Sequence, residues 1–306
     1  MDGLKVELHC HNEFSNFQLG VKETPYDCGI TIREQLEQAY KAGLDAFFIT
    51  NHNTLDGYNL LVEYRNNHEK FKNIQVYPGE EITTDKGIHV LAYGLTDTIR
   101  PGKSFEDILD IIKAQGAVSC APHPFGLNNG LREKAIRCEL IEVFNSNNVD
   151  RYSNLRAYNF AKSNNMIEVV GSDSHVVSTL GRCVNFIESE NTIDGILDSM
   201  KKGRITIGNT GYITSKEMIE HAKYKIENSR DDIIRYFIEN HPHLTGLCCF
   251  LIRAFESNPN SVIWTAVYKV AVRLITKLSN KINFKNQDYN ILYERNLRAI
   301  LPMILT

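Results

Sequence analysis

The sequence lacks several features that would assign the protein to a particular class. No uninterrupted apolar run reaches the roughly 18 residues that a transmembrane helix needs, and the best candidate, LTGLCCFLIRAF, is cut by Arg253. The net charge is only −3 over 306 residues, so there is no strong signal for nucleic-acid binding. The first residues contain neither a basic segment nor a long apolar segment, and we therefore expect no signal peptide.

The seven cysteines also lack the spacing of a known framework. They lie at positions 10, 28, 120, 138, 183, 248 and 249, and no pair forms a CxxC motif. The absence of CxxC argues against a structural zinc site. Irregular spacing without a secretory signal favours reduced thiols, which is typical of a cytoplasmic protein.

The distribution of charge and of apolar residues suggests two regions. Residues 1–214 hold 21 Lys and Arg against 28 Asp and Glu, whereas residues 215–306 hold 13 against 9. In the first region, short apolar runs alternate with helical patterns, which predicts a mostly parallel sheet or a barrel. Long helical patterns follow. We therefore expect a barrel over residues 1–212 and a helical C-terminal region over residues 213–306.

Histidines are concentrated where the predicted strands end. Six of the ten lie at such positions, and they are His9, His11, His52, His89, His123 and His175. In HCH, the period of two puts His9 and His11 on one face of a strand, and carboxylates follow at PGEEIT and GSDSH. Imidazole and carboxylate together suit Zn, Mn or Fe. A single strand-end histidine is more often an ordinary hydrogen-bonded residue, but this set predicts a metal cluster on the active face of an α/β fold.

Five motifs in a fixed order resemble those of the PHP family (polymerase and histidinol phosphatase). They span roughly residues 4–210 and read HCHNEFSN, TNHNT, PGEEIT with GIHVLAYG, APHP and GSDSH. The resemblance implies an α/β fold, a distorted (β/α)7 barrel, to which this chain adds its helical C-terminal region. It also implies two to three divalent metal ions (Mn, Zn or Fe) at the carboxyl ends of the strands, and phosphoester hydrolysis.

The resemblance further implies which residues bind each ion. The first ion would be bound by His9, His11, Glu81 and Asp173. The second would be bound by Glu81, His89 and His123. The third would be bound by His52, His175 and Asn16. Glu81 would bridge the first two ions. We choose Glu81 over Glu80 because the family motif is Gly-x-Glu and Gly79 sets the register. Glu80, on the opposite pleat, is then expected to face solvent.

This chain departs from the family pattern in one corner of the expected site. Asn16, Asn51 and Asn53 stand where the family often has aspartate. An amide oxygen is neutral and binds a hard divalent ion more weakly than a carboxylate does. The third site is therefore expected to be the weakest, and Asn51 would instead orient neighbouring ligands.

We predict a metal-dependent phosphoric ester hydrolase, a phosphatase acting on a small phosphorylated substrate such as a phosphomonoester or nucleotide. Metals bridged by Glu81 would activate a water molecule as hydroxide. Where the third metal is absent, His52 or His175 would assist the leaving oxygen. Arg182 would hold the phosphate, or alternatively form a surface salt bridge. The competing hypothesis is a PHP-fold binding or regulatory module with a weakened third site and little turnover.

The C-terminal region contains a basic amphipathic pattern over residues 262–285. Its cations recur every four residues, at Lys269, Arg273, Lys277, Lys281 and Lys285, and apolar residues supply much of the other face. The pattern predicts a helix, with a break near Asn280 left open. Such a helix either packs on the barrel with a solvated basic face or makes a peripheral contact with a membrane or another polyanion.

Overall fold

Strands and helices alternate along the first part of the chain, and long helices follow. The computed structural model describes residues 3–285 and 287–293. The strands are β1 (Leu4–Cys10), β2 (Phe17–Gln18), β3 (Val21–Lys22), β4 (Ala46–Ile49), β5 (Gln75–Thr83), β6 (His89–Tyr93), β7 (Val118–Ala121), β8 (Leu140–Asn145), β9 (Ile167–Gly171), β10 (Asn185–Ile187) and β11 (Ile205–Ile207). The helices are α1 (Ile32–Lys41), α2 (Tyr58–Asn66), α3 (Phe105–Ala114), α4 (Tyr152–Asn164), α5 (Ile193–Lys201), α6 (Ser215–Asn240), α7 (Thr245–Ser257), α8 (Val262–Phe284) and α9 (Asn290–Tyr293).

One nine-stranded sheet curls into a nearly closed barrel. Its strand order is β11-β10-β1-β4-β5-β6-β7-β8-β9. Just beyond β9, the amide of Asp173 donates to the carbonyl oxygen of His9 at 2.8 Å, and the amide of His11 donates to that of Ser174 at 3.2 Å. These bonds bring the end of β9 onto the end of β1. The distorted α/β barrel predicted from the sequence is thereby confirmed.

The pairing within the barrel is mixed rather than mostly parallel. β1, β4 and β5 pair in parallel, as do β7, β8 and β9. β6 runs antiparallel to both of its neighbours, β5 and β7. The antiparallel pairing with β5 follows from the short connection of residues 84–88, because a parallel crossover requires a dozen or more residues. This hairpin still leaves the end of β5 beside the start of β6, which positions Glu81 close to His89.

The helices cover the barrel with the faces and caps that the sequence indicates. The Thr31 side chain accepts a hydrogen bond from the Glu34 amide at the start of α1, and the Glu34 side chain reaches back to Thr31. At the start of α3, the Ser104 side chain accepts a hydrogen bond from the Asp107 amide. The apolar face of α3 carries the fully buried Ile108 and packs into the larger of the core clusters.

Two of the C-terminal helices pack against the carboxyl ends of the barrel strands. α6 begins with a capping box formed by Thr214 and Glu217. α8 buries Leu278 and Ile282, and the Ser279 hydroxyl donates to the Asp150 carboxylate at 2.6 Å. α8 continues through Asn280 to Phe284 without a break. The sequence left open whether the helix breaks near Asn280, and the described helix has no break there. This last part of the helix is anchored to the barrel.

The first part of α8 presents a different surface. Lys269, Arg273 and Lys277 are exposed, and so are the apolar side chains of Val267 and Val270. Within residues 3–285 and 287–293, no helix is both long and apolar enough to cross a membrane. The peripheral contact of residues 262–285 with an anionic surface stays a prediction.

If this contact exists, replacing Lys269, Arg273 and Lys277 together with Gln should weaken binding to vesicles that contain phosphatidylserine. Each cation near such a surface contributes about 1 kcal/mol, so the three together amount to roughly a 100-fold change. Vesicle sedimentation in low and high salt measures it, with phosphatidylcholine vesicles as the control. Failure of the wild-type protein to sediment in low salt would leave only a solvated basic face.

Candidate metal centre

The predicted histidines converge where the strands end. His9 and His11 leave β1 on the same side, and both are completely buried. Cys10, between them, packs into an apolar cluster on the other side. His52 follows β4, and its backbone pairs with that of Glu81. The alternation of the strands thus aims imidazoles and carboxylates into one region.

The first group of ligand atoms comes from His9, His11, Glu81 and Asp173, whose atoms all lie within 4.8 Å of one another. The two imidazole Nε2 atoms lie 3.4 and 3.3 Å from Glu81 Oε2, and 3.6 and 3.4 Å from Asp173 Oδ1. Two atoms that each lie about 2.1 Å from one ion, at 90–110°, are about 3.0–3.4 Å apart. The spacing therefore fits a shared divalent ion better than direct hydrogen bonds.

An unpaired nitrogen supports the same interpretation. His11 Nε2 is buried, and its contacts of 3.3 Å with Glu81 and 3.4 Å with Asp173 do not have the geometry of hydrogen bonds. A buried polar atom without a partner costs about 1–3 kcal/mol. A metal ion bound at this position would satisfy it. The donor set, two imidazoles and two carboxylates, is one that first-row divalent metals accept.

Glu81 faces two groups of ligands at once. Its Oε2 atom lies 3.3 Å from His52 Nδ1 and also faces His9 and His11. Its Oε1 atom lies 2.8 Å from His89 Nδ1 and 3.0 Å from His123 Nε2. The second oxygen therefore belongs to the ligand set expected for the second ion. This arrangement suits a carboxylate that bridges two ions.

The third group contains an aspartate that sequence reasoning missed. Asp27 joins His11, His52 and His175 in a set whose ligand atoms lie within 4.8 Å of one another. Its Oδ2 atom lies 2.8 Å from His175 Nε2 and 3.4 Å from His52 Nε2. Burial alone would raise the pKa of the Asp27 carboxyl, but His175 and His52 hold that pKa well below its usual range. Asp27 is therefore an ionised carboxylate in this corner.

Asn16, the residue expected to bind the third ion, supports Asp27 instead. Its Oδ1 atom accepts from the backbone amides of Asp27 at 2.6 Å and Cys28 at 3.0 Å. Its Nδ2 atom donates to the Cys28 carbonyl at 2.7 Å and to the Tyr224 hydroxyl at 2.9 Å. These bonds give no support to Asn16 as a ligand, because both polar atoms of its amide are already engaged. We therefore assign the third carboxylate to Asp27.

The other two asparagines of this corner orient neighbouring groups. Asn51 Oδ1 accepts from the Ser15 hydroxyl at 3.0 Å, and Ser15 Oγ lies 3.1 Å from His11 Nδ1. Asn53 exchanges two hydrogen bonds with Thr83, at 2.7 and 3.0 Å. The interpretation of Asn51 as an orienting residue agrees with these contacts.

Two buried glutamates near the site have roles that were not predicted. Glu142, on β8, contacts His9 Nδ1 at 3.0 Å and accepts from the His123 amide at 2.7 Å. The only sign of Glu142 in the sequence is that it is an acidic residue within an otherwise apolar strand. The expectation that Glu80 faces solvent is wrong, because Glu80 is completely buried and accepts from the Ile99 amide at 3.0 Å. Burial raises the pKa of Glu80 to about 8.

Arg182 does not reach the cluster. Its guanidinium pairs with both carboxylate oxygens of Glu217 on α6, and it donates to the Tyr212 carbonyl at 3.0 Å. It is not among the described residues that line the cavity over the metal centre. The expected phosphate contact thus finds no support, because the guanidinium is directed to α6. The alternative, a salt bridge, describes Arg182 better, although this pair is partly buried and joins barrel to helix.

A cavity of about 590 Å³ opens over the cluster. Its floor contains the ligand atoms of Glu81, Asp173 and Asp27 and four of the imidazoles. Its walls come from the loops after β7 and β8 and from α6 and α8. This volume is typical of a site for a small molecule.

If Asp27 is the ligand, an aspartate at position 16 should lower the metal content of the protein. If position 16 is the ligand site, the same change should raise it. Asp27→Asn should lower the metal content by about one equivalent per chain if three ions bind. Asn16→Asp should also lower it, because a carboxylate cannot donate to Cys28 and Tyr224. Metal analysis of purified protein measures both changes, and the exposed Asp85→Asn is the control. A gain of metal in Asn16→Asp would return the ligand role to position 16.

The contact of Glu142 with His9 predicts a separate effect on metal affinity. Glu142→Gln removes the charge that fixes the orientation of the His9 ring, and we expect a 10- to 100-fold loss of affinity for one ion. Calorimetric titration of the metal-free protein measures it, beside the exposed Glu190→Gln as control. An unchanged affinity would mean that Glu142 only supports the strand.

Comparison with known proteins places this geometry in a family. A family model described as PHP-associated matches residues 151–205, which include Asp173 and His175. The uncharacterized protein MJ1587 of Methanocaldococcus jannaschii is 31% identical over 159 residues, which cover 51% of this chain and 90% of that protein. MJ0417 of the same organism is 28% identical over 188 residues, which cover 58% and 68% of the two chains.

The fold has a counterpart among solved structures. The crystal structure of PsfC from Pseudomonas syringae PB-5123 matches with a TM-score of 0.52 and 18% identity, over 74% of this chain and 99% of PsfC. At that identity, the likeness shows the fold alone. The family model and the relative MJ1587 match this chain in sequence and not only in fold. Together with the ordered motifs, they show that the chain belongs to the PHP family.

Proposed function

We propose that the protein is a phosphoric ester hydrolase that depends on divalent metal ions. The observation that carries the proposal is Glu81, a buried carboxylate whose two oxygens face two different groups of ligand atoms. A pair of bridged ions is a common arrangement for the displacement of a phosphate ester.

The residues present fit such ions. Three overlapping groups of imidazoles and carboxylates could supply the ligands. The first is His9, His11, Glu81 and Asp173, and the second is His52, Glu81 and His89, with His123 beside them. The third is His11, Asp27, His52 and His175. Divalent ions held there would polarise the phosphoryl oxygens and lower the pKa of a water molecule. The identity and number of the ions belong to this proposal, with Mn, Zn and Fe as the candidates.

Two of the imidazoles, those of His9 and His175, have outer partners that favour the tautomer that metal binding requires. His9 Nδ1 lies 3.0 Å from Glu142 Oε1, so the ring donates its proton there and keeps the Nε2 lone pair free. His175 Nδ1 lies 2.9 Å from the Asp173 carbonyl oxygen, which can only accept. The Nε2 atom of His175 is likewise left to face the cluster. Such outer partners fix ring orientation and raise the basicity of the ligand.

The cavity supports a small phosphorylated substrate. Its volume suits a single phosphomonoester or nucleotide. A phosphate bound there would contact the ligand groups on both sides of Glu81. His52 and His175 line the cavity beside Asp27, and either could pass a proton to the leaving oxygen from Nε2 if the third group held no ion.

The alternative hypothesis, a binding or regulatory module, loses its main support. It rested on amides at positions 16, 51 and 53. Asp27 supplies a carboxylate in the same corner, so the charge expected of a third ligand is present there. We therefore favour the enzyme.

The proposal predicts that phosphatase activity depends on both metal and ligands. We expect hydrolysis of phosphomonoesters or nucleotides after loading with Mn, Zn or Fe, and its loss in EDTA. A His9→Ala His11→Ala double variant should lose at least about 1,000-fold, since the metals contribute several kcal/mol.

The chain offers a matched control with the same histidine spacing. His241 and His243 lie just after α6 and outside the described ligand groups, so His241→Ala His243→Ala should leave activity and metal content unchanged. Equal activity in the two double variants, or no hydrolysis by any metal-loaded wild-type protein, would contradict the proposal.

A further inference from the structure

The C-terminal helices complete the cavity. α6 lines it with Met218, His221, Ala222 and Lys225, and α8 adds Ile275. His221, Ala222 and Lys225 lie three, four and seven residues after Met218, so all four share one face of the helix. The wall opposite the barrel is therefore built from a region outside the residues that carry the PHP motifs.

α6 holds the loop that carries Asp27. The His221 side chain contacts the Asp27 carbonyl oxygen at 2.6 Å, and Tyr224 receives a hydrogen bond from Asn16, which binds the Asp27 amide. Burial and the neighbouring His175 and Lys225 lower the pKa of His221 to about 4, so this ring is neutral near pH 7.

Lys225 brings a cation to this position. Its Nζ atom lies 3.4 Å from Asp27 Oδ1, while Asp27 Oδ2 faces His52 and His175. The ammonium group therefore lies at the edge of the third ligand group and is only partly exposed. Among the described residues that line the cavity, Lys225 is the sole lysine or arginine. Arg182, the other candidate for binding phosphate, is paired with Glu217.

The rest of the wall indicates what kind of group Lys225 would meet. The loops contribute the amides of Asn128, Asn147 and Asn148 and the aliphatic side chains of Leu127 and Val149. Within the described part of the chain, no Phe, Tyr or Trp lines this cavity, so a ring on which a nucleobase would stack is lacking. Charge, rather than stacking, is the recognisable feature of this wall.

We propose that Lys225 binds a terminal phosphate and makes the enzyme selective for phosphomonoesters over phosphodiesters. This inference rests on the proposed function. A terminal phosphate has three non-bridging oxygens: two can face the ligand groups on either side of Glu81, and the third can accept from Lys225 Nζ. A diester has only two such oxygens and carries less charge. It also needs room for a second substituent where α6 and α8 form the wall.

The test compares Lys225→Met with Lys225→Arg, which keeps the charge, and with Lys223→Met, which removes an exposed cation paired with Glu227 on the same helix. With metal-loaded protein, kcat/KM for p-nitrophenyl phosphate should fall about 10- to 100-fold in Lys225→Met. The value for bis-p-nitrophenyl phosphate should change less than about 2-fold. Lys225→Arg should recover most of the monoester activity, and Lys223→Met should match wild type. Equal losses on both substrates would overturn the proposal.

Binding of inorganic phosphate, measured by calorimetry on the same proteins, separates this inference from the proposed function. Lys225→Met should bind phosphate about 10-fold more weakly while its metal content stays unchanged. That result supports the role of Lys225 even if no hydrolysis is seen, in which case the proposed function alone fails. Unchanged phosphate affinity in Lys225→Met, or a loss matched by lost metal, overturns the role of Lys225 itself.

Discussion

The buried charge of Glu81 is the constraint around which the rest of the centre is arranged. Its backbone is held by the segment that follows β4, because its amide donates to the Asn51 carbonyl at 3.1 Å and its carbonyl accepts from the Asn53 amide at 3.0 Å. Burial alone would raise the pKa of this carboxyl, but His89, His52 and His9 hold that pKa well below its usual range. An ionised carboxylate so deeply buried is stable only with cations around it. Protonated imidazoles, or metal ions held by neutral ones, would meet that requirement.

The surrounding polar groups form a network that holds several of the ligands. Glu142 fixes His9, Ser15 and Asn51 fix His11, and Asn129 Nδ2 lies 3.2 Å from His89 Nε2. Interactions of this kind are stronger in a buried site than in water, and an incomplete network is costly. The amides at positions 51 and 53 are therefore better understood as parts of this network than as lost ligands.

The sequence predicted the alternation of strands and helices and most of the residues that meet at the centre, because these depend on local periodicity and on motifs at strand ends. It did not predict Asp27, which lies in a loop without a strand-end motif. The only local signal is that Asp27 is the sole aspartate between His11 and Asp45. The position of its loop depends on Asn16 and on Tyr224, about two hundred residues later. Glu80 was misjudged for the same reason, because its partner, the Ile99 amide, comes from a segment that carries no motif. The partner of Arg182, Glu217, also lies in such a segment.

The contacts between α6 and the Asp27 loop have a thermodynamic consequence. Two of the ligand groups consist of barrel residues held by barrel residues, whereas the third depends on a carboxylate held in place by α6. An ion that binds this third group more tightly when α6 is docked must, by reciprocity, favour the docked helix by the same free energy. Metal occupancy and the closure of the cavity wall are thus linked equilibria. Occupancy of the third ligand group therefore depends on whether α6, a helix outside the barrel, is docked.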